Sequence, residues 1–245
     1  MTTVKNTLQA RPQEKAVTYT ANGQSVSLSL STVKRYLTGG ANISDEEAVM
    51  FINLCKYQRL NPWLREAYCI KYGSKPATLV TGKEAFMKRA DAQPSYDGFK
   101  AGVVVIDQEG EMKYRNGALV LKDESLVGGW AEVYRKDKAN SYREEVMLDE
   151  YIGRKADGSV NEQWTKRPAT MIRKVALVQA LKEAFPETLG ALHVAEEFGA
   201  VEEEAMQNVA PVIPEAQPEP QPQVQPQVKP VDVEVAEPVY SDSLI

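Results

Sequence analysis

The spacing of apolar and polar residues changes character three times along the chain. Val17 to Thr20 and Ser25 to Leu30, the latter alternating through Val26, Leu28 and Leu30, flank an Asn22-Gly23 pair and so predict a two-stranded hairpin. A short amphipathic helix through Val33, Tyr36 and Leu37 follows, with Gly39-Gly40 as its stop. Ser44 and Glu47 form a capping box for a longer helix. Its Val49, Phe51, Ile52 and Leu54 cover most of the circumference, which places it in the core, and Asn61-Pro62 ends it. Two short strands, Ala67 to Tyr72 and Ala77 to Thr81, then lead into a helix from Gly82 to Gln93 that Pro94 stops.

From Phe99 the period becomes two. Phe99 to Ile106, Glu111 to Tyr114, Leu119 to Leu121, Leu126 to Arg135 and Ser141 to Leu148 predict an antiparallel β-meander. Gly153 to Glu162 is a polar connector with a turn or mobile loop at Lys155-Ala156-Asp157-Gly158. A helix from Trp164 to Phe185 follows, with Pro168 in its first turn, where a missing N–H costs little. Pro186 ends it, and a last helix runs from Glu187 to Phe198. The fold class is α+β, an antiparallel β-meander packed with helices, without βαβ units or internal repeats. The expected organisation is a flexible N-terminus over residues 1–16, a core over 17–199 and a disordered acidic tail over 200–245. In that tail eight of the 14 prolines fall between Pro211 and Pro238, and the rest is largely Gln, Val and Glu, a composition that cannot bury a core.

Charge sharpens this division. The formal net charge is -5, yet residues 200–245 hold nine acids and one base, whereas residues 1–199 hold 28 bases and 25 acids. The tail conceals a basic body. The excess concentrates between Arg154 and Lys182, where Arg154, Lys155, Lys166, Arg167, Arg173, Lys174 and Lys182 face only Asp157 and Glu162. A local surplus of that size points to a polyanionic partner. The two cysteines, Cys55 and Cys69, match no zinc spacing and are too few for a disulfide framework, which fits reduced thiols in a cytosolic protein. No apolar run approaches the roughly 20 residues needed to span a bilayer, and Met1 onward has no apolar signal region.

Several motifs fail when examined residue by residue. Ala77 to Glu84 looks superficially like a phosphate loop, but Ala77 replaces its first glycine and Glu84 its magnesium-binding hydroxyl, so Gly82-Lys83 is a helix start. Asp107, Glu111 and Lys113 echo a metal-dependent nuclease, although all three lie at a hairpin turn where a solvated loop explains them better. His193, the single histidine, has no nucleophile or metal-ligand pattern around it. The basic helix is the stronger signal. Lys166 and Arg173, and likewise Arg167 and Lys174, are seven residues apart and would form stripes on one helix. The acids that usually accompany solvated bases are missing between Thr165 and Lys182. Unpaired stripes on a packed scaffold suit phosphate contacts. Beside them Trp164 has two readings, a ring stacked on a nucleobase or an anchor in the core.

Trp164, Pro168, Met171, Arg173-Lys174, Ala176, Gln179, Lys182 and Ala184-Phe185 together resemble the C-terminal core motif of the RecT/Bet family of phage recombinases. Tyr57 to Tyr68, with Asn61-Pro62-Trp63, Arg65 and Glu66, resembles that family's upstream signature, and the likeness spans roughly residues 31–199. The resemblance implies an ATP-independent protein, without a catalytic centre, that binds single-stranded DNA and anneals complementary strands in homologous recombination. It further implies rings or helical filaments, partners that include the annealed duplex, a phage exonuclease and the host single-strand-binding protein, and a place in the bacterial cytoplasm. No cofactor is expected, with Mg2+ as an aid to annealing. Arg65, Arg173, Lys174 and Lys182 are the carried-over DNA contacts; Lys166 and Arg167 join them from the charge argument, and Trp164 from the stacking reading. Ala169 and Val175 stand where a phage relative has lysines, and the Pro/Gln tail stands where some relatives have a folded module that docks an exonuclease and the host single-strand-binding protein, so exonuclease docking does not carry over. A metal-dependent nuclease and a passive DNA-binding or interaction protein are the competing readings.

Overall fold

A computed structural model describes residues 15–71, 75–155 and 157–198; the expected flexible start over 1–16, but for its last two residues, and the expected disordered tail over 200–245 lie outside the described residues. Strands β1 (Val17–Ala21) and β2 (Gln24–Leu28) form the expected hairpin, with Asn22 and Gly23 both at positive φ in its two-residue turn. Helix α1 (Leu30–Thr32) runs into a π-helical turn, Val33–Leu37, that buries Val33 and Leu37. Helix α2 (Asp45–Tyr57) opens with the Ser44–Glu47 capping box. Only one side of it is buried, through Ala48, Phe51, Ile52 and Cys55; Val49 and Met50 are exposed, so the expectation of a fully packed helix is corrected. Apolar residues around a whole circumference require cover on every side, and α2 lies at the surface.

A 3₁₀ turn (Pro62–Leu64) leads to β3 (Ala67–Ile70), which pairs antiparallel with β4 (Thr78–Thr81) ahead of α3 (Lys83–Asp91). The main sheet holds β5 (Tyr96–Ile106), β6 (Met112–Asn116), β7 (Ser125–Arg135) and β8 (Tyr142–Met147), all antiparallel, in the order β6-β5-β7-β8. The sheet is thus the antiparallel layer expected, but not a consecutive meander: β5 lies between β6 and β7. Residues 119–121 belong to the connection that skips over this edge, not to a strand.

Helices α4 (Leu148–Tyr151), α5 (Glu162–Lys166), α6 (Pro168–Ala184) and α7 (Pro186–Leu189) follow, and a 3₁₀ turn (Ala195–Phe198) closes the described core. The single last helix expected from Glu187 to Phe198 is instead this short helix, a coil and the 3₁₀ turn. Helix α6 lies across the inner faces of β5, β7 and β8 and buries Ile172, Val175, Ala176, Leu177, Val178, Ala180 and Leu181. It is apolar nearly all round because other elements cover it on both sides. Gly129 on β7 lets it settle: a Cβ there would stand 2.6 Å from the Ile172 carbonyl oxygen. Alanine at that position would force helix and sheet apart, so Gly129→Ala should destabilise the fold by about 2 kcal/mol, as overpacking commonly does; urea unfolding of the variant measures it.

A second fixed point joins α2 to β3 and β4. Glu47 accepts hydrogen bonds from Lys71 Nζ at 2.8 and 2.9 Å, from the Ser44 amide at 2.8 Å and from the Ala77 amide at 2.8 Å. The Lys71 ammonium, then these two amides, hold its carboxyl down at about 2. A carboxyl depressed in the folded state adds stability that is present above its unfolded value, near 4.3, and is lost as pH falls toward its folded value. The difference in Tm between the wild-type chain and Glu47→Gln should therefore be constant above pH 5 and shrink between about pH 4.5 and 2. A difference independent of pH over that window would show that the bond network contributes nothing through ionisation.

Candidate nucleic-acid interface

The signature block from Tyr57 to Tyr68 is built around a buried carboxylate. Asn61 caps the 3₁₀ turn, its Oδ1 accepting from the Trp63 amide at 3.0 Å, and Pro62 occupies the first position, where no donor is needed. Glu66, 1% exposed, turns back on this turn and accepts from the Asn61 amide at 2.8 Å. It also accepts from Asn22 Nδ2 at 3.0 Å and Lys88 Nζ at 2.8 Å, joining the β1–β2 turn, the signature loop and α3. The block is thus first a structural joint. What it offers outward is Arg65, exposed and left-handed at φ 58°, immediately after the 3₁₀ turn. Its backbone is fixed on the far side, where a Cβ on Gly82 would stand 2.6 Å from the Arg65 carbonyl oxygen.

The basic segment departs from the expected continuous helix. Arg167, at φ -141° and ψ 50°, breaks it into α5 and α6, because Pro168 disfavours a helical conformation in the residue before it. Lys166 belongs to α5 and Arg167 to the break, so neither continues a stripe with Arg173 or Lys174. Both remain exposed; Lys166 pairs with Glu162 one turn earlier, and no ion pair holds Arg167 among the described residues. Arg173 is half-buried and donates from Nε to the Ala101 carbonyl at 3.2 Å, which ties α6 to β5.

Lys174 and Lys182 are not an acid-free stripe in space. The acids missing from the helix arrive from the closing 3₁₀ turn. Lys174 Nζ lies 2.5 Å from Glu196 Oε1, and Lys182 Nζ lies 2.9 and 3.0 Å from the two oxygens of Glu197. The lysine side chains are 18% and 16% exposed, their carboxylates 3% and 15%. Trp164 is corrected as a stacking residue. At 3% exposure it is a core side chain, seated against Gly153, where a Cβ would stand 2.9 Å from the indole Cδ1. Its amide donates to the N-cap Asn161 Oδ1 at 3.1 Å.

The remaining candidates fall into place as structure. Asp107, Glu109 and Glu111 can bring one carboxylate oxygen each within 4.8 Å of one another. Asp107, however, pairs with Lys113 and accepts from the Glu109 and Glu111 amides, at 3.0 and 2.9 Å, which shapes the β5–β6 turn. The Lys113 ammonium, above all, holds the Asp107 carboxyl below its ordinary range. His193 lies in coil, not in a helix; it is exposed, hydrogen-bonds Glu197 at 2.7 Å, and its carbonyl accepts from the Thr81 amide at 2.7 Å. Cys55 and Cys69 are both buried and free, and burial pushes the Cys69 thiol up to about 12.

Sequence reasoning missed one feature. Lys56, Arg59, Lys88 and Arg89 gather around a cleft between the β1–β2 turn and the C-terminal ends of α2 and α3. They are scattered over 34 positions of sequence, and no charge run announces them; the i,i+3 spacing of Lys56 and Arg59 was the available signal.

Among the described residues no helix is long and apolar enough to cross a membrane. No curated protein matches the chain. The RecT family pattern matches residues 23–210, which takes in the signature block, the sheet, the basic segment and the closing turn. With more than half its length matched in this way, the chain belongs to the RecT family.

Proposed function

We propose that this protein binds single-stranded DNA and anneals complementary strands without ATP in phage-type homologous recombination. Membership of the RecT family carries this reading. The geometry supports it with exposed cations at Arg65, Lys166 and Arg167 on backbone held in place by caps, prolines and close packing. Annealing requires no catalytic group. Fixed positive charge screens the repulsion between two phosphate backbones, and copies of the chain side by side present the bases of an extended strand. Arg65, Lys166, Arg167 and the half-buried Arg173 supply that charge. Lys174 and Lys182 join them only where a phosphate displaces Glu196 or Glu197, an exchange of one anion for another with little net gain. In this reading the protein holds both the single strand and the annealed duplex, assembles with copies of itself, works in the bacterial cytoplasm beside an exonuclease and the host single-strand-binding protein, and uses Mg2+ at most as an aid to pairing.

The test is to mix complementary oligonucleotides with the protein, with and without magnesium and ATP, and to follow duplex formation and strand length. Duplex formation should accelerate without ATP, and the strands should stay intact. Binding without acceleration would leave a passive DNA-binding protein. Magnesium-dependent shortening, lost in Asp107→Asn, would leave a nuclease. Affinity should fall with salt by about 0.7 log units per log unit for each phosphate neutralised. The triple replacement of Arg65, Lys166 and Arg167 by alanine should flatten that slope by about 2 and slow annealing in proportion; an unchanged slope would remove these residues from the interface.

A further inference from the structure

The cleft between the β1–β2 turn and the C-terminal ends of α2 and α3 has a volume of 760 Å³. Lys56, Arg59, Lys88 and Arg89 line it, and among the described residues no carboxylate does. Positive side chains at helix C-termini are often there for the helix dipole, so charge alone would carry little. Three further observations point outward, toward a ligand.

The first is Tyr57, which lines the cleft while 80% exposed, a ring left in water at the rim of a cationic hollow. The second is Arg59. It occupies the left-handed position after α2, at φ 48°, with the Leu60 amide reaching back to the Cys55 carbonyl at 2.9 Å and its own amide to Lys56 at 3.2 Å. That is the helix-terminating position that glycine usually fills, and an arginine there carries backbone strain that a glycine would remove. Among the described residues neither Lys56 nor Arg59 has an ion-pair partner. The third is Gln58. Its Nε2 donates to the Ala191 carbonyl at 3.2 Å, but its Oε1 is buried and accepts no hydrogen bond among the described residues. A buried acceptor without a donor is uncommon and calls for one. Arg89 braces the wall from behind, donating to the Gln58 carbonyl and, at 3.5 Å, to that of Thr188, so its charge adds to the field of the cleft without closing it.

Cation, exposed ring and unpaired amide acceptor together match the parts of one nucleotide. We propose that this cleft holds one nucleotide unit of the bound strand, with its phosphodiester on Lys56 and Arg59, its base on the Tyr57 ring, and a base N–H or amino group donating to Gln58 Oε1 once that side chain turns outward; Lys88 joins only where a phosphate displaces Glu66. Every base has a face to stack and thymine, guanine, adenine and cytosine each carry an N–H donor, so the site is tolerant of sequence. The inference rests on the single-strand binding argued above and adds to it a site remote from the basic segment in sequence.

The test uses the full chain and a single-stranded oligonucleotide carrying 5-iodouracil, cross-linked by light and mapped by mass spectrometry. Cross-links should fall on Tyr57. The double variant Lys56→Ala with Arg59→Gly should flatten the salt slope by about 1.4. Arg59→Gly places the residue that this backbone prefers, so thermal unfolding should be unimpaired while affinity falls. Tyr57→Leu should weaken binding roughly tenfold, the loss of one stacked base. Free dAMP and inorganic phosphate at millimolar concentration should compete weakly if the strand is the ligand; tight binding of either alone would overturn the assignment to a strand. Binding that persists with an unchanged slope in the double variant, and cross-links confined to other residues, would overturn the cleft while leaving single-strand binding intact. No binding of the oligonucleotide by the wild-type chain would defeat both.

Discussion

Glu66→Ala is expected to lower the free energy of unfolding by about 3 kcal/mol, read from urea denaturation. The carboxylate is 1% exposed and joins three segments distant in sequence, through Asn61, Asn22 and Lys88. Its removal leaves the Asn61 amide buried without an acceptor, a loss of about 1–3 kcal/mol. It also opens a void where the side chain stood, which adds a further contribution of similar kind. Lys88 is half exposed and turns to water, so the ion pair itself accounts for little of the loss. Glu66→Gln separates these contributions. It preserves volume, but one of its terminal atoms becomes a donor facing another donor, so it should fall between alanine and the wild type. A variant within about 0.5 kcal/mol of wild type would mean that the signature loop holds its shape without the carboxylate, as a residue at an ordinary surface position would allow.

Much of the architecture was legible because local rules and tertiary packing agree. The Asn22-Gly23 turn and the Ser44–Glu47 capping box each act within a few residues and appear as expected. Sheet order was not legible in the same way. Period-two patterning assigns faces but not neighbours, and β5 is long enough to pair on both edges, so the hairpin β5–β6 lies outside β7 instead of before it. The same limit acts at the candidate site. The run of bases after Thr165 carries few acids in sequence, yet the compensating acids are Glu196 and Glu197, brought back by a turn whose coil is pinned to β4 through Thr81 and His193. Conversely, Lys56 and Arg59 belong to only a modest excess, three bases between Glu47 and Glu66, yet among the described residues folding gives them no carboxylate partner. Trp164 was ambiguous for a physical reason: tryptophan has both a large apolar body and a stacking face, and only Gly153, eleven positions away, decides which is used.

The pairing of Lys174 and Lys182 makes a second result large enough to divide structural from DNA-binding roles. Replacing Lys174 by methionine removes the counter-charge of a carboxylate only 3% exposed, and breaking such a pair typically costs about 3–5 kcal/mol; Lys182→Met strips a carboxylate that is 15% exposed and costs less. Methionine retains most of the aliphatic stem, so packing changes little and the loss reports the charge. Each variant should therefore unfold at lower urea, Lys174→Met more than Lys182→Met. Glu196 is the more buried acid at 3%, whereas Glu197 at 15% exposure keeps His193 as a neighbour at 2.7 Å. The salt slope of single-strand binding should change by less than about 0.5 for the pair of variants together, against the 1.4 expected if both lysines held phosphates. The reciprocal change sharpens this. With Glu196→Gln and Glu197→Gln, two cations lose their internal anions; if the closing turn keeps its place through the Thr81 amide and the His193 carbonyl, affinity at low salt should rise as these lysines become available to phosphate. Lysine variants that keep full stability but flatten the slope by 1.4 would reverse the assignment, making α6 the floor of the DNA site and its carboxylates the groups that DNA displaces.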